Sequence, residues 1–517
     1  MGEEPFWGDE RIVANLFPRS AGVLLHPTSL PGPYGIGDLG PAAFEFLEFL
    51  EGAGSSIWQM LPLTPTGYGE SPYQCFSAFA GNPLLISLDA LAADGLLNGD
   101  ELVEARLPDA ANVDFPFVMA VKNRALRRAA ARFKPTAEFA QFCAQEQAWL
   151  PDFALFMALK EEFGMVAWPH WPEAFRSRDA AALAGFRAAR AERIAAHTFL
   201  QYEFFTQWNR LRTAATHCGI RLMGDIPIYA AGDSSDVWAR PELWLLRSDG
   251  HPAEMAGVPP DYFSATGQLW GNPIYDWARH EESGFAWWVE RLRFTFAMFD
   301  LVRLDHFRGF QAYWQVPHGE TTAERGRWVT GPGEKLFEAA ERALGQLALV
   351  AENLGVITPE VEAIRQRFGF PGMAILQFAF GKDPQAPDFK PHNYPRELVG
   401  YSGTHDNDTT MGWWRSTGDG DSTRTAEDIA KERAFALEYL GVDGSEMNWS
   451  LIRALMASVA STVVFPVQDL LGLGTGARMN QPATIGKNWK FRLLERQLSA
   501  EIAGRLRRLG ECYERLV

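Results

Sequence analysis

Phe299-Asp300-Leu301-Val302-Arg303-Leu304-Asp305-His306-Phe307-Arg308-Gly309 places an apolar, strand-like run directly before a dense set of charges. Side chains alternate faces along a strand. Leu301, Arg303 and Asp305 therefore share one face, and Val302 and Leu304 share the other. With Val302 and Leu304 against packed helices, Arg303 and Asp305 point inward together. An arginine two residues before a carboxylate on the same face favours the ionised, nucleophilic form. A structural ion pair at a strand end fits these residues equally well. The neighbouring strands have to separate the two readings.

Working outward, the same strand-then-charge pattern recurs. Ala21 to His26 reads as a first buried strand, Pro41 opens an amphipathic helix, and Ser56 to Leu61 reads as a second strand. Arg221 to Asp225, Leu347 to Glu352, Ala374 to Phe378, Val399 to Thr404 and Thr462 to Asp469 supply strands three and five to eight, around the opening stretch as strand four. Eight strand signals with helices between most of them predict an α/β fold, a (β/α)8 barrel with helical and loop insertions. The whole chain, 1–517, reads as one catalytic barrel. Residues 84–217 form a mostly helical insertion between strands two and three, with helices expected over Val118 to Phe133, Pro151 to Phe163 and Leu183 to Phe205. Residues 247–277 read as a long active-site loop region, and Leu493 to Leu516 as a closing helix.

Composition narrows the function. The 517 residues carry 48 Lys+Arg against 64 Asp+Glu, a net charge of −16, which argues against nucleic acid or an anionic membrane as partner. Cys75, Cys143, Cys218 and Cys512 are scattered without a CxxC pair, so neither a zinc site nor a disulfide framework is expected. The acidic start, Met1-Gly2-Glu3-Glu4-Pro5, lacks the features of a signal peptide, and no apolar run is long enough to span a bilayer. The expectation is a cytoplasmic enzyme. Aromatic residues reach 13%, with 18 Trp. Rings beside Gly, Pro, Asn and Asp in loops suit the C–H faces and hydroxyl rim of a sugar. Trp287-Trp288 and Trp413-Trp414 read as packing.

Gly35-Ile36-Gly37-Asp38-Leu39-Gly40 formally matches GxGxxG. Pro27 to Tyr34 separate it from the strand, and no acidic residue ends the second strand, so a dinucleotide site is rejected. Asp225, Asp305, Glu352 and Asp406 all fall at strand C-terminal tips, the barrel face where active sites lie. Glycoside chemistry needs one ionised carboxylate and one protonated acid. Arg303 keeps Asp305 charged, whereas the apolar run before Glu352 favours its protonated form. The same acids invite a metal reading, but they come from separate strands without HxxxH or DxDxDG spacing. No GxSxG elbow is present for a serine triad.

The motifs His26-Pro27-Thr28-Ser29-Leu30, Trp58-Gln59, Thr66 to Gln74, Gly81-Asn82-Pro83, Gly224-Asp225, Pro259 to Trp277, Arg303 to Gly309, Ala351 to Gly355, Thr404 to Asn407 and Arg478-Met479-Asn480 occur in one order. In that order they closely resemble the 4-α-glucanotransferases of glycoside hydrolase family 77, from Gly22 to Arg492. The resemblance implies Asp305 as nucleophile, Glu352 as general acid/base and Asp406 as a third carboxylate gripping sugar hydroxyls. Asp225, Arg303 and His405 match positions around the −1 glucose, and Tyr68, Trp270 and Asn480 resemble subsite contacts. Asp261 to Ser264 resembles a mobile lid. Asn488 to Arg492 departs from the family pattern, so no role passes to Lys490 or Phe491, and His306 stays outside the catalytic set. The implied donors and acceptors are α-1,4-glucans and maltooligosaccharides, without metal or organic cofactor. The competing readings are an α-amylase-type hydrolase on the same barrel and a catalytically inactive glucan-binding protein.

Overall fold

The computed structural model describes residues 16–260, 266–418, 424–482 and 484–516. In chain order its strands are β1 (Ser20–Leu24), β2 (Ile57–Gln59), β3 (Arg221–Ile226), β4 (Glu254–Val258), β5 (Gln268–Pro273), β6 (Leu301–Leu304), β7 (Ala312–Pro317), β8 (Arg327–Thr330), β9 (Leu349–Ala351), β10 (Gly372–Ile375), β11 (Leu398–Tyr401) and β12 (Thr462–Pro466). Eight of them form one parallel sheet in the order β10-β11-β12-β1-β2-β3-β6-β9. The Ala351 amide donates to the Pro371 carbonyl at 2.9 Å, joining β9 to the residue before β10 and bringing the ends of the sheet together. The fold is a (β/α)8 barrel.

Because every barrel strand is covered by helices outside and side chains inside, the strands are buried on both faces and read as apolar runs. Val302, Leu304, Val350 and Val463 are all essentially inaccessible. Gly224 shows how tight the packing is: a Cβ there would lie 2.4 Å from the Phe299 ring, which in turn meets Trp208 edge-on at 5.2 Å. Trp208 belongs to the helix Ala191–His217, which ties the segment between β2 and β3 to the barrel wall. The expected helix Leu183 to Phe205 is two helices, Ala180–Ala189 and Ala191–His217, broken at Arg190. There the guanidinium turns back to bond Glu162.

Other boundaries also differ from the sequence reading. Strand six ends at Ile375, and Leu376–Phe380 is a 3-10 turn; strand eight ends at Pro466, where Val467–Leu470 turns helical. The closing helix covers Ala500–Cys512 and starts where the Ser499 hydroxyl accepts the Ile502 amide at 3.3 Å. Residues 247–277 are not one long loop. They contribute β4 and β5 to a second, antiparallel sheet of order β5-β4-β7-β8, which meets the C-terminal ends of β3 and β6 through Asn272 on Ala230 and Trp270 on His306. Asp261 to Ser264 lies outside the described residues. The rejected glycine motif is structural: Asp38 accepts the buried Lys122 ammonium at 3.0 Å, and a Cβ on Gly37 would meet the Pro27 carbonyl at 2.1 Å.

The two ends of the barrel are finished differently. At the N-terminal end, Arg515 is completely buried and donates to the carbonyls of Ser20, Leu455, Met456, Ser458, Ala460 and Ser461 at 2.8–3.3 Å. Arg19 adds bonds to Met456, Ser458 and Tyr513. Burial, and secondarily the neighbouring Arg19, pulls the Arg515 guanidinium down to about 9. Among the described residues no helix is long and apolar enough to cross a membrane.

Candidate active site

At the C-terminal end of the sheet, strand register brings the sequence-predicted carboxylates together. Asp225 of β3 pairs directly with Arg303 of β6, and Leu304 with Ala351 of β9. The residues that follow, Asp305 and Glu352, therefore leave adjacent strands side by side. Arg303 Nη1 donates to both Asp225 oxygens at 2.9 and 2.8 Å, and its Nη2 meets Asp305 Oδ1 at 2.9 Å. One guanidinium thus spans two carboxylates, a fork geometry a lysine cannot reproduce. Its own burial works against the charge, but Asp225 and Asp305 outweigh that and hold Arg303 well above its ordinary value. Asp225 is nearly inaccessible, so burial pushes its carboxyl up, opposed by Arg303.

Glu352 is held by backbone donors. The His306 amide donates to Oε2 at 2.8 Å and the Leu354 amide to Oε1 at 3.0 Å. Burial raises its carboxyl to about 7; Arg303 opposes the shift, and Asp305 adds to it. His306 can aim its amide this way because it takes a left-handed backbone, φ 50°, uncommon for a residue with a Cβ. Its ring meets Trp270 edge-on at 4.9 Å, and burial drops it to about 4, so it is neutral near pH 7.

Asp406 stands on the opposite rim. Its Oδ1 accepts Asn480 Nδ2 at 2.6 Å and its Oδ2 lies 3.4 Å from His405 Nε2, while Arg478 Nη2 grips its carbonyl at 2.6 Å. With 42% of its side chain exposed, Asp406 faces the opening. His405 stacks on Tyr73 with ring centroids 5.2 Å apart. Tyr73, noted in the sequence only as part of its loop and given no role, donates its hydroxyl to Asp225 Oδ2 at 2.8 Å; burial first, then Asp225, keeps the phenol protonated far beyond its usual range. Tyr68, singled out in the same loop, stands 74% exposed and is not drawn into this cluster. Gln74 is a second neighbour missed, donating to Asn272 at 2.9 Å and steadying the strand that carries Trp270. Beneath the site, Tyr401 donates to Gln59 at 2.9 Å across the barrel interior. Both strand residues lay in the expected strands without a charge to mark them.

The site thus combines a fixed cation between two acids, a third acid held protonated up to about neutral pH, a fourth at the opening, and aromatic rings on its walls. Carboxylates and rings around one barrel mouth are the equipment of barrel enzymes that work on glycosidic bonds. Comparison with known proteins makes the assignment specific. The family described as 4-alpha-glucanotransferase matches residues 25–497. The 4-alpha-glucanotransferase of Thermus thermophilus is 50% identical over 96% of this chain and 99% of its own length, and that of Synechocystis is 47% identical over 96% and 98%. An amylomaltase from Streptococcus agalactiae, solved in complex with acarbose, superposes with a TM-score of 0.91 at 38% identity, covering 96% of this chain and 100% of that one. The chain belongs to glycoside hydrolase family 77, the 4-α-glucanotransferases.

Proposed function

We propose that the enzyme moves α-1,4-glucan segments between maltooligosaccharides by a retaining double displacement. The observation that carries this reading is the pairing of Asp305 with the Arg303 cation beside a Glu352 whose carboxyl is raised to about 7. A carboxylate held against a fixed cation, beside an acid raised by burial, separates a nucleophile from a proton donor. Asp305 attacks C1 of a bound glucose while Glu352 protonates the departing oxygen, forming a covalent glycosyl-enzyme and releasing the shortened chain. Glu352, now ionised, takes the proton from an acceptor 4-hydroxyl, which attacks C1 and restores the original anomer. Retaining enzymes hold the two carboxyl groups about 5–5.5 Å apart.

Asp406, with Asn480 and His405 fixing its orientation, grips hydroxyls of the reacting sugar and favours a distorted ring. Asp225, Arg303 and His405 surround the −1 glucose; Trp270 and Asn480 serve as further subsite contacts, and Tyr68 as a more distant one. Aromatic walls from Tyr73 and Trp270 exclude water, supporting transfer over hydrolysis. Incubation with maltotriose tests the reading. Glucose and longer oligomers without net gain of reducing ends are expected, whereas a steady gain of reducing ends would establish a hydrolase instead. An inactive binding protein would leave maltotriose untouched.

A further inference from the structure

We infer that Trp328 forms a remote binding platform for the glucan chain that leaves and re-enters past Glu352. The inference rests on the proposed role of Glu352 as proton donor, because the oxygen it protonates belongs to that chain. Trp328 sits on β8, the outer edge strand of the antiparallel sheet. It is one of the few large apolar side chains left open to water, 39% exposed, and it faces Trp314 across the β7–β8 ladder, edge-on at 5.3 Å. Residue pairing across this sheet puts Trp314 and Trp328 on its outer face, since the alternate pair, Tyr313 and Val329, packs inward.

Two contacts connect this ring to the catalytic segments. The Arg308 guanidinium lies 3.8 Å from the indole centroid, and Arg308 follows Asp305 by three positions in the turn after β6. The same guanidinium donates to the Val356 carbonyl, in the loop that leaves Glu352. Arg308 therefore links Trp328 to the loop that follows Glu352, in which Val356 is 68% exposed. Burial lowers the Arg308 guanidinium. The arginine thus serves to fix the ring: cation and indole attract, and the bond to Val356 sets the position of both.

A flat apolar ring open to water matches the C–H face of a glucose unit. Among the described residues β8 pairs only with β7, so its outer edge offers backbone groups to sugar hydroxyls. Ligands too short to reach past the loop gain nothing from such a platform, so the inference separates substrates by length. The test compares Trp328→Ala with the unmodified enzyme in transfer from maltotriose and from maltoheptaose. The ratio of KM for maltoheptaose to KM for maltotriose should rise about five-fold, the size of one exposed aromatic contact, and Trp328→Tyr should restore it. An unchanged ratio, or a ratio that Tyr fails to restore, overturns the inference. Failure of the underlying reading shows elsewhere, in the maltotriose products of the unmodified enzyme.

Discussion

Arg303 and Arg515 are both buried arginines at the ends of one barrel, and they are held in opposite ways. Arg303 is gripped by the carboxylates of Asp225 and Asp305, whereas Arg515 is gripped by six neutral carbonyls. The first arrangement concentrates charge and raises its guanidinium; the second leaves the cation uncompensated and lowers it. A cation paid back only by carbonyls binds chain segments to each other, here the start of β1, the approach to β12 and the last residues of the chain. A cation shared by acids tunes reactivity. The contrast follows the general division of α/β barrels, in which the C-terminal face carries function and the N-terminal face stability.

Breaking each end separately should yield opposite phenotypes. Asp305→Asn should reduce kcat by on the order of 10^5-fold, as expected for loss of a nucleophile, with little change in the denaturation midpoint. Retention of full transfer activity in that variant would remove Asp305 from its role. Arg303→Ala strands Asp225 as a buried, unpaired charge and should cost about 3–5 kcal/mol of stability together with most of the activity. Arg515→Ala should cost about as much stability by removing the charge-assisted bonds that tie these segments together, read as a lowered denaturant midpoint. The folded fraction of Arg515→Ala should nevertheless turn over maltotriose at the normal rate. A matching fall in kcat would erase the distinction between the two ends.

Two milder changes sharpen the picture of the upper end. Glu352 must hold a proton to act as acid, so kcat/KM should fall as pH rises through about 7. Its raised folded value also means that burial begins to destabilise the protein as pH climbs from the ordinary glutamate range to about 7. Glu352→Gln should flatten that second dependence while abolishing activity, and a stability profile identical to the parent's would contradict it. Tyr73→Phe deletes the phenol bond to Asp225 and should lower kcat/KM by about ten-fold, the size of one hydrogen bond to a charged group. Unaltered kinetics would reduce Tyr73 to a packing role.

The eight barrel strands were legible because each is a short apolar run, and three of them bring Asp225, Asp305 and Glu352 to their C-terminal ends, whereas β11 stops at Tyr401 and Asp406 lies in the turn beyond it. The antiparallel sheet was not. Its pairings join Gly257 to nearby Leu269 but also to Trp314, far along the sequence beyond β6, and the flanking prolines and glycines read as loop. Tyr73 was hidden for a related reason. The Gly67 amide bonds the Gln74 carbonyl at 2.7 Å, folding the loop back on itself, while Gly69 takes φ 67°. That fold turns one tyrosine inward and leaves the other, Tyr68, outside. Local composition cannot distinguish them.

The junction between β9 and β10 has a mechanical consequence. One backbone bond crosses it at Ala351, and the side chain of Asn353, accepting the Met373 amide at 2.8 Å, supplies a stitch where the ladder stops. Glu352 is not fastened to that seam. Its amide donates to Leu304 and its carbonyl accepts the Phe307 amide, each at 3.1 Å, so it is laced to the strand that delivers Asp305. Opening of the barrel wall at this joint should therefore leave Glu352 and Asp305, the proposed proton donor and nucleophile, moving together. Faster amide hydrogen exchange at Ala351 than at Glu352 and Phe307 would register that motion.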